Sequence, residues 1–87
     1  MNYQILYTEK SIKQLKKLDR STQKLITNYI KNLGLLEEPR AKGKALSANW
    51  RGFWRYRIGD YRAICEIDDG RIVIVVIDVG HRKDIYK

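Results

Sequence analysis

Phe53-Trp54-Arg55-Tyr56-Arg57-Ile58-Gly59-Asp60-Tyr61-Arg62 decides the fold of this 87-residue chain. Its side chains alternate with period two: Trp54, Tyr56 and Ile58 fall on one face, Phe53, Arg55 and Arg57 on the other. Gly59-Asp60, with glycine first, fits a type II′ hairpin turn, so a strand returns over 61–67. Asp68-Asp69-Gly70 makes a second turn. The run Ile72-Val73-Ile74-Val75-Val76-Ile77 that follows is β-branched throughout. A strand apolar on both faces is central and covered on both sides. Phe53, Ile64 and arginine stems are expected to shield the side that helices leave open. Gly80 then releases the chain into a short charged tail.

Upstream, residues 2–7 alternate with Tyr3, Ile5 and Tyr7 on one side, which reads as a short strand. Thr8 caps a helix over about 9–18, with Ile12, Leu15 and Leu18 as its apolar stripe. Asp19 or Ser21 caps a second helix, whose stripe is Leu25, Ile26, Tyr29, Ile30 and Leu33. Gly34 fits the left-handed position that ends a helix. Two helices joined this tightly form an antiparallel hairpin. Residues 37–49 read as a loop, punctuated by Pro39 and Gly43, made basic by Arg40, Lys42 and Lys44, and anchored by Leu46. The element order is βααβββ. The economical packing is α+β: a small, twisted, mostly antiparallel sheet with the N-terminal helical hairpin on one face, in a single domain over 1–87.

Eighteen Lys+Arg against ten Asp+Glu give a net charge of +8. Phosphate polymers attract such a surface through counterion release, and an acidic protein partner is attracted as well. Apolar residues make up 44%, which suits a folded domain rather than a disordered one. No run of about 18 apolar residues is present, so no membrane span is expected. The N-terminus lacks the basic-then-apolar pattern of a signal peptide. Cys65 stands alone, which excludes a disulfide framework and fits a reducing cytosol.

Arg55 and Arg57 are two apart on a strand, and Arg62 lies just past a tight turn, where it comes opposite them. Arg82 leaves the end of the central strand, and Tyr86 follows closely. Guanidinium groups gathered in this way repel one another unless an anion binds among them, and phosphate matches their bidentate donors. Phe53 or Tyr61 would add base stacking. The plainer reading is a basic face of unrelated arginines. His81, the only histidine, is a candidate general acid or base, or equally a hydrogen-bonded linker. Glu66 and Asp78 are expected to pair with arginines. Trp50, Trp54 and Cys65 are expected in the core. Neither a glycine-rich phosphate loop nor zinc-ligand spacing occurs. The helix lysines read as a solvated face, because a DNA-reading helix would carry base-reading side chains that are missing here.

The blocks Trp54-Arg55-Tyr56-Arg57-Ile58-Gly59-Asp60-Tyr61-Arg62-Ala63-Ile64 and Val79-Gly80-His81-Arg82-Lys83-Asp84-Ile85-Tyr86 resemble the RelE/ParE superfamily of bacterial type II toxin–antitoxin toxins. Lys13-Gln14-Leu15, Leu46 and the helical hairpin also fit, so the resemblance spans essentially the whole chain. It implies a cytoplasmic, RelE-like mRNA interferase: a ribosome-dependent, metal-independent endoribonuclease without a cofactor. By this resemblance the catalytic set is Arg55, Arg57, Arg62, Arg82 and Tyr86. Arginine replaces the family's lysines at 55 and 57 and is a poor proton shuttle, which brings in His81 as base. Arg40, Lys42, Lys44, Phe53, Tyr61 and Lys83 are the expected RNA-binding residues. The implied partners are the 70S ribosome with its mRNA and an acidic RelB-like antitoxin. The hetero-oligomeric toxin–antitoxin complex would bind operator DNA through the antitoxin. The alternative is a ParE-type DNA gyrase poison without catalysis.

Overall fold

The computed structural model describes residues 2–47 and 52–81. Its elements are β1 (Gln4–Tyr7), α1 (Glu9–Lys16), α2 (Arg20–Gly34), a 3-10 turn (Pro39–Ala41), β2 (Lys44–Ala45), β3 (Phe53–Ile58), β4 (Tyr61–Asp68) and β5 (Val73–His81). They build a five-stranded sheet in the order β1-β5-β4-β3-β2. The β1–β5 pair is parallel and the others are antiparallel. This is the expected α+β layout with one addition. The two-residue β2 lies within the stretch read as loop and pairs Lys44 with Arg55 and Ala45 with Trp54.

The period-two pattern sets the layers. Tyr56, Ile58, Ala63, Cys65, Ile74, Val76 and Val79 pack in one buried cluster with Leu15, Ile26, Ile30 and Leu33 of the helices. Tyr3, Ile5, Tyr7 and Trp54 pack against its margin. Burial of Cys65 pushes its thiol up to about 12, so it behaves as a small hydrophobe. Gly59 has φ 61°, as the first corner of a type II′ turn requires. Thr8 caps α1 by accepting from Ser11 N–H, and Asp19 caps α2 by accepting from Thr22 N–H.

Two expectations fail locally. Gly34 ends α2 without a left-handed conformation. It is small because a Cβ there would lie 3.0 Å from both Ile5 Cδ1 and the Tyr3 carbonyl oxygen, so the helix end sits directly on β1. Ile72 is not part of the strand. It turns the corner at φ 54°, a left-handed conformation that strains a β-branched residue, and β5 starts at Val73.

The edge of β5 needs a separate solution. β1 pairs only with residues 73–76. Beyond that, α1 supplies side chains in place of a strand. Val79 N–H donates to Gln14 Oε1 at 2.8 Å, and Thr8 Oγ1 donates to the Ile77 carbonyl at 3.3 Å. Asp78 accepts from Gln14 Nε2 at 2.7 Å and pairs with Lys10 Nζ at 3.2 Å. Asp78 was expected to meet an arginine; it serves the helix instead, because α1 lies along the strand edge that Asp78 borders.

Two outcomes are expected. Gln14→Leu keeps the shape but strands the Val79 N–H and loosens Asp78, and should cost about 1–3 kcal/mol in urea unfolding. The second concerns Asp19, whose carboxyl is held down to about 2 by hydrogen bonds from Ser21 and Thr22 against an ordinary 3.8. A folded value below the unfolded one means this stabilisation is present above about pH 4 and is lost as pH falls through about 2. Asp19→Asn should therefore flatten that part of the stability–pH curve.

Candidate active site

The face of the sheet opposite the helices carries a cluster of arginines. Arg55 and Arg57 alternate with buried Tyr56 and Ile58, so they point away from the core. The tight turn places Arg62 directly across from Arg57, and β2 brings Lys44 directly across from Arg55. These four cations, with Tyr29 and Gly43, line a cleft of about 300 Å³. Like charges in directly opposed positions destabilise a sheet, and here the backbone register enforces the opposition. Among the described residues, no carboxylate pairs with Arg57, Arg62 or Lys44. Arg62 Nε is also buried without a hydrogen-bond partner. A buried charged donor left unpaired is costly unless something outside the chain satisfies it. Phosphate fits, because guanidinium forks match its oxygens bidentately.

The cleft wall comes from the far side of the chain. Tyr29 of α2 lies against Tyr56 with ring centroids 6.3 Å apart. The Tyr56 hydroxyl donates to the Pro39 carbonyl at 3.0 Å, which fixes the loop before β2. Burial raises both phenols above their ordinary value. Gly43, at φ 78°, lets the loop pass where a Cβ would come within 2.5 Å of the Arg55 carbonyl oxygen. Tyr29 and Gly43 were not singled out in the sequence as site residues. Tyr29 read as part of an apolar helix stripe, and only its place at the sheet margin brings it to the cleft.

The structure sorts the sequence-derived candidates. It brings Arg55, Arg57, Arg62 and Lys44 together, with Phe53 on the same face opposite Glu66. It does not bring His81 to them. His81 registers opposite Tyr61, with the rings edge-on at 5.5 Å, and Tyr61 packs on the helix side of the sheet. Because β5 runs on through His81, alternation turns this histidine away from the arginines. Tyr61 is half-buried and packs at the core margin. Arg40 lies near the other end of the β4 hairpin. It pairs with Asp69 at 3.0 Å and Glu38 at 3.2 Å, and hydrogen bonding to Asp69 raises its pKa. Its guanidinium ties the loop to the β4–β5 turn, where Asp69 also accepts from the Tyr3 hydroxyl. Lys42 is exposed and outside the cleft lining. Arg82, Lys83, Tyr86 and Trp50 lie outside the described residues. Among the described residues there is no cluster of potential metal ligands and no helix long and apolar enough to cross a membrane.

A helical hairpin on one face of a small mixed sheet and a convergent arginine face on the other define the RelE-like toxin fold. Residues 5–86 match the family described as the ParE toxin of type II toxin–antitoxin systems. The chain is 31% identical to Toxin RelG of Mycobacterium tuberculosis over 87 residues, 100% of this chain and 99% of the relative. The RelBE2 toxin–antitoxin complex from the same organism superposes with a TM-score of 0.85 at 28% identity, covering 94% of this chain and 100% of the matched one. The isolated Escherichia coli RelE toxin shares the fold with a TM-score of 0.75 at 18% identity, covering 91% and 83%. This chain belongs to the ParE toxin family, within the RelE/ParE superfamily, and is the toxin of a type II toxin–antitoxin system.

If Arg57 and Arg62 are held in mutual repulsion, Arg57→Gln should raise stability by about 0.5 kcal/mol at low salt, with the gain shrinking as salt is added. Phosphate should stabilise the parent more than chloride at matched ionic strength, and Arg62→Ala should abolish that difference. Thermal unfolding in the two anions measures both.

Proposed function

We propose that this toxin is a RelE-like endoribonuclease that cuts mRNA in the ribosomal A site. The observation that carries the reading is the opposed pair Arg57 and Arg62, with an unpaired buried Nε, beside Arg55 and Lys44. Two directly opposed guanidinium groups with no carboxylate partner among the described residues suit a transition state that gains negative charge.

In the proposed reaction the RNA 2′-hydroxyl attacks the adjacent phosphorus. The O2′–P bond forms and the P–O5′ bond breaks. The 2′-oxygen loses its proton and the departing 5′-oxygen gains one, leaving a cyclic phosphate and a 5′-hydroxyl. Arg55, Arg57 and Arg62 hold the non-bridging oxygens as their charge grows, and Lys44 draws the backbone into the cleft. The family resemblance adds Arg82 at the scissile phosphate and Tyr86 as a positioning or stacking residue. The place of His81 on the opposite face argues against it as the proton acceptor.

The proposed partners are the 70S ribosome with its mRNA and an acidic RelB-like antitoxin. The RelBE2 neighbour is itself a toxin–antitoxin complex. Exposed Ile12, Leu25 and Leu35 give the helical hairpin apolar anchors for such a segment, and the net charge of +8 supplies the attraction. The assembly would bind operator DNA through the antitoxin, and the toxin would act in the cytoplasm.

A second reading, a DNA gyrase poison without catalysis, is favoured by the ParE description of the matched family. The two part on what fails first. Under the ribonuclease reading, brief induction without antitoxin stops protein synthesis before DNA synthesis, and primer extension shows codon-positioned cuts. Arg62→Ala should slow single-turnover cleavage about a hundred- to thousandfold, the usual cost of removing one preorganised donor from a developing oxyanion. DNA synthesis failing first, with trapped gyrase–DNA breaks, would move the assignment to the second reading.

A further inference from the structure

Gly80 sits in the arginine row. It registers opposite Arg62 on β5, just as Arg57 does on β3, so Arg57, Arg62 and position 80 line up across three strands. Among the described residues nothing requires glycine there: a Cβ at 80 would meet none of their atoms within 4 Å, and the backbone is not in the left-handed region. This contrasts with Gly43 and Gly34, where a Cβ would approach within 2.5 Å and 3.0 Å of neighbouring atoms. Glycine inside a strand weakens it and often marks a place where something else comes close. Val79 and His81 both turn toward the helix side, so neither fills the space. Across this gap stands Arg62, whose buried Nε has no partner within the described chain.

We propose that Gly80 is a positioning residue: it keeps open the β5 flank of Arg62 so that an RNA phosphate lies against that guanidinium. Arg57 closes the other flank with like charge. A two-oxygen contact to a guanidinium edge needs lateral room that a side chain at 80 would occupy. Gly80 therefore acts through Arg62, by the space it leaves. The inference rests on the arginine face being an RNA-phosphate site.

The test compares the parent with Gly80→Ala and Gly80→Val. Thermal unfolding is measured for each, along with titration by a single-stranded RNA tetranucleotide made uncleavable by 2′-O-methyl groups. Ribosome-dependent mRNA cleavage is assayed in parallel. Both variants should melt at or above the parent's temperature, since each replaces a strand glycine by a better strand former. RNA affinity should fall in the order parent, alanine, valine, by about tenfold for valine, the scale of one lost charge-assisted contact. Adding Gly80→Val to Arg62→Ala should cost nothing further, because both remove the same contact. Valine binding the RNA as tightly as the parent overturns the proposal, and so does a parent that does not bind it. Should valine lower the melting temperature, the alanine variant decides: weaker binding at unchanged melting supports the gap, and parental binding overturns it. A parent that binds RNA in a Gly80-dependent way yet leaves ribosomal mRNA intact sinks the ribonuclease reading and leaves the gap standing. A parent that cleaves while Gly80→Val binds and cleaves as well does the reverse.

Discussion

The side-chain amide of Gln14 bridges to a strand 65 residues further along the chain, and the layer arrangement depends on it. A sheet whose second strand is long and whose edge strand is short leaves backbone donors and acceptors exposed to water or to another chain. β5 runs over nine residues and β1 over four, so the mismatch is built in. The chain resolves it by laying α1 along the uncovered stretch, with Thr8, Lys10 and Gln14 serving the backbone and Asp78. Once α1 is fixed there, the tight joint at Asp19 sends α2 back across the same side of the sheet, and Gly34 lets its end press on β1. Both helices are thereby committed to one face. Among the described residues no helix covers the other face, and the arginines stand on it.

Much of this was legible in the sequence because period and turn chemistry are local. Alternation through Phe53–Ile58, with glycine first in the turn, fixes which side chains share a face and which residue stands opposite which. The Arg55, Arg57 and Arg62 cluster follows from that alone. Caps at Thr8 and Asp19 are equally local. What escaped depends on distant parts of the fold. β2 has only two residues and no pattern, and exists because β3 offers it an edge. Asp78 was assigned to an arginine because sequence shows its charge but not the helix packed beside it. Arg40 looks like any basic loop residue until Asp69, 29 positions later, comes within reach. Parity sets His81 apart from the arginines. Adjacent residues of a strand face opposite ways, and β5 runs one turn of the pleat further than Gly80 suggested.

Strain and charge are distributed unequally over the molecule. The left-handed Ile72 is a local defect at the β4–β5 turn, away from the cleft, and has no evident functional counterpart. The repulsion on the arginine face is of another kind. It is held by the backbone register, because Arg57 and Arg62 flank the same tight turn and cannot separate without breaking the hairpin. Places where a fold tolerates such local inconsistency are where function is found in marginally stable domains.

That arrangement ties the toxin's stability to whatever occupies the face. The cations are preorganised, so an anion arriving there meets donors already in place and loses little to rearrangement. Any ligand of the folded state alone adds stability as its concentration exceeds its dissociation constant, about 2.7 kcal/mol at a hundredfold excess. For a chain of 87 residues with a small core, that is a large share of the whole. Tyr29 of the cleft wall packs on core Tyr56, whose hydroxyl holds the loop at Pro39, so occupancy would also be felt through the α2–β3 contact. On the proposed reading, an acidic partner that reached from the helical hairpin to this face would compete there with an RNA phosphate, and each would stabilise the fold that it occupies. On that reading, the same uncompensated charge that would favour a phosphate transition state would favour a negatively charged companion when the toxin is not acting.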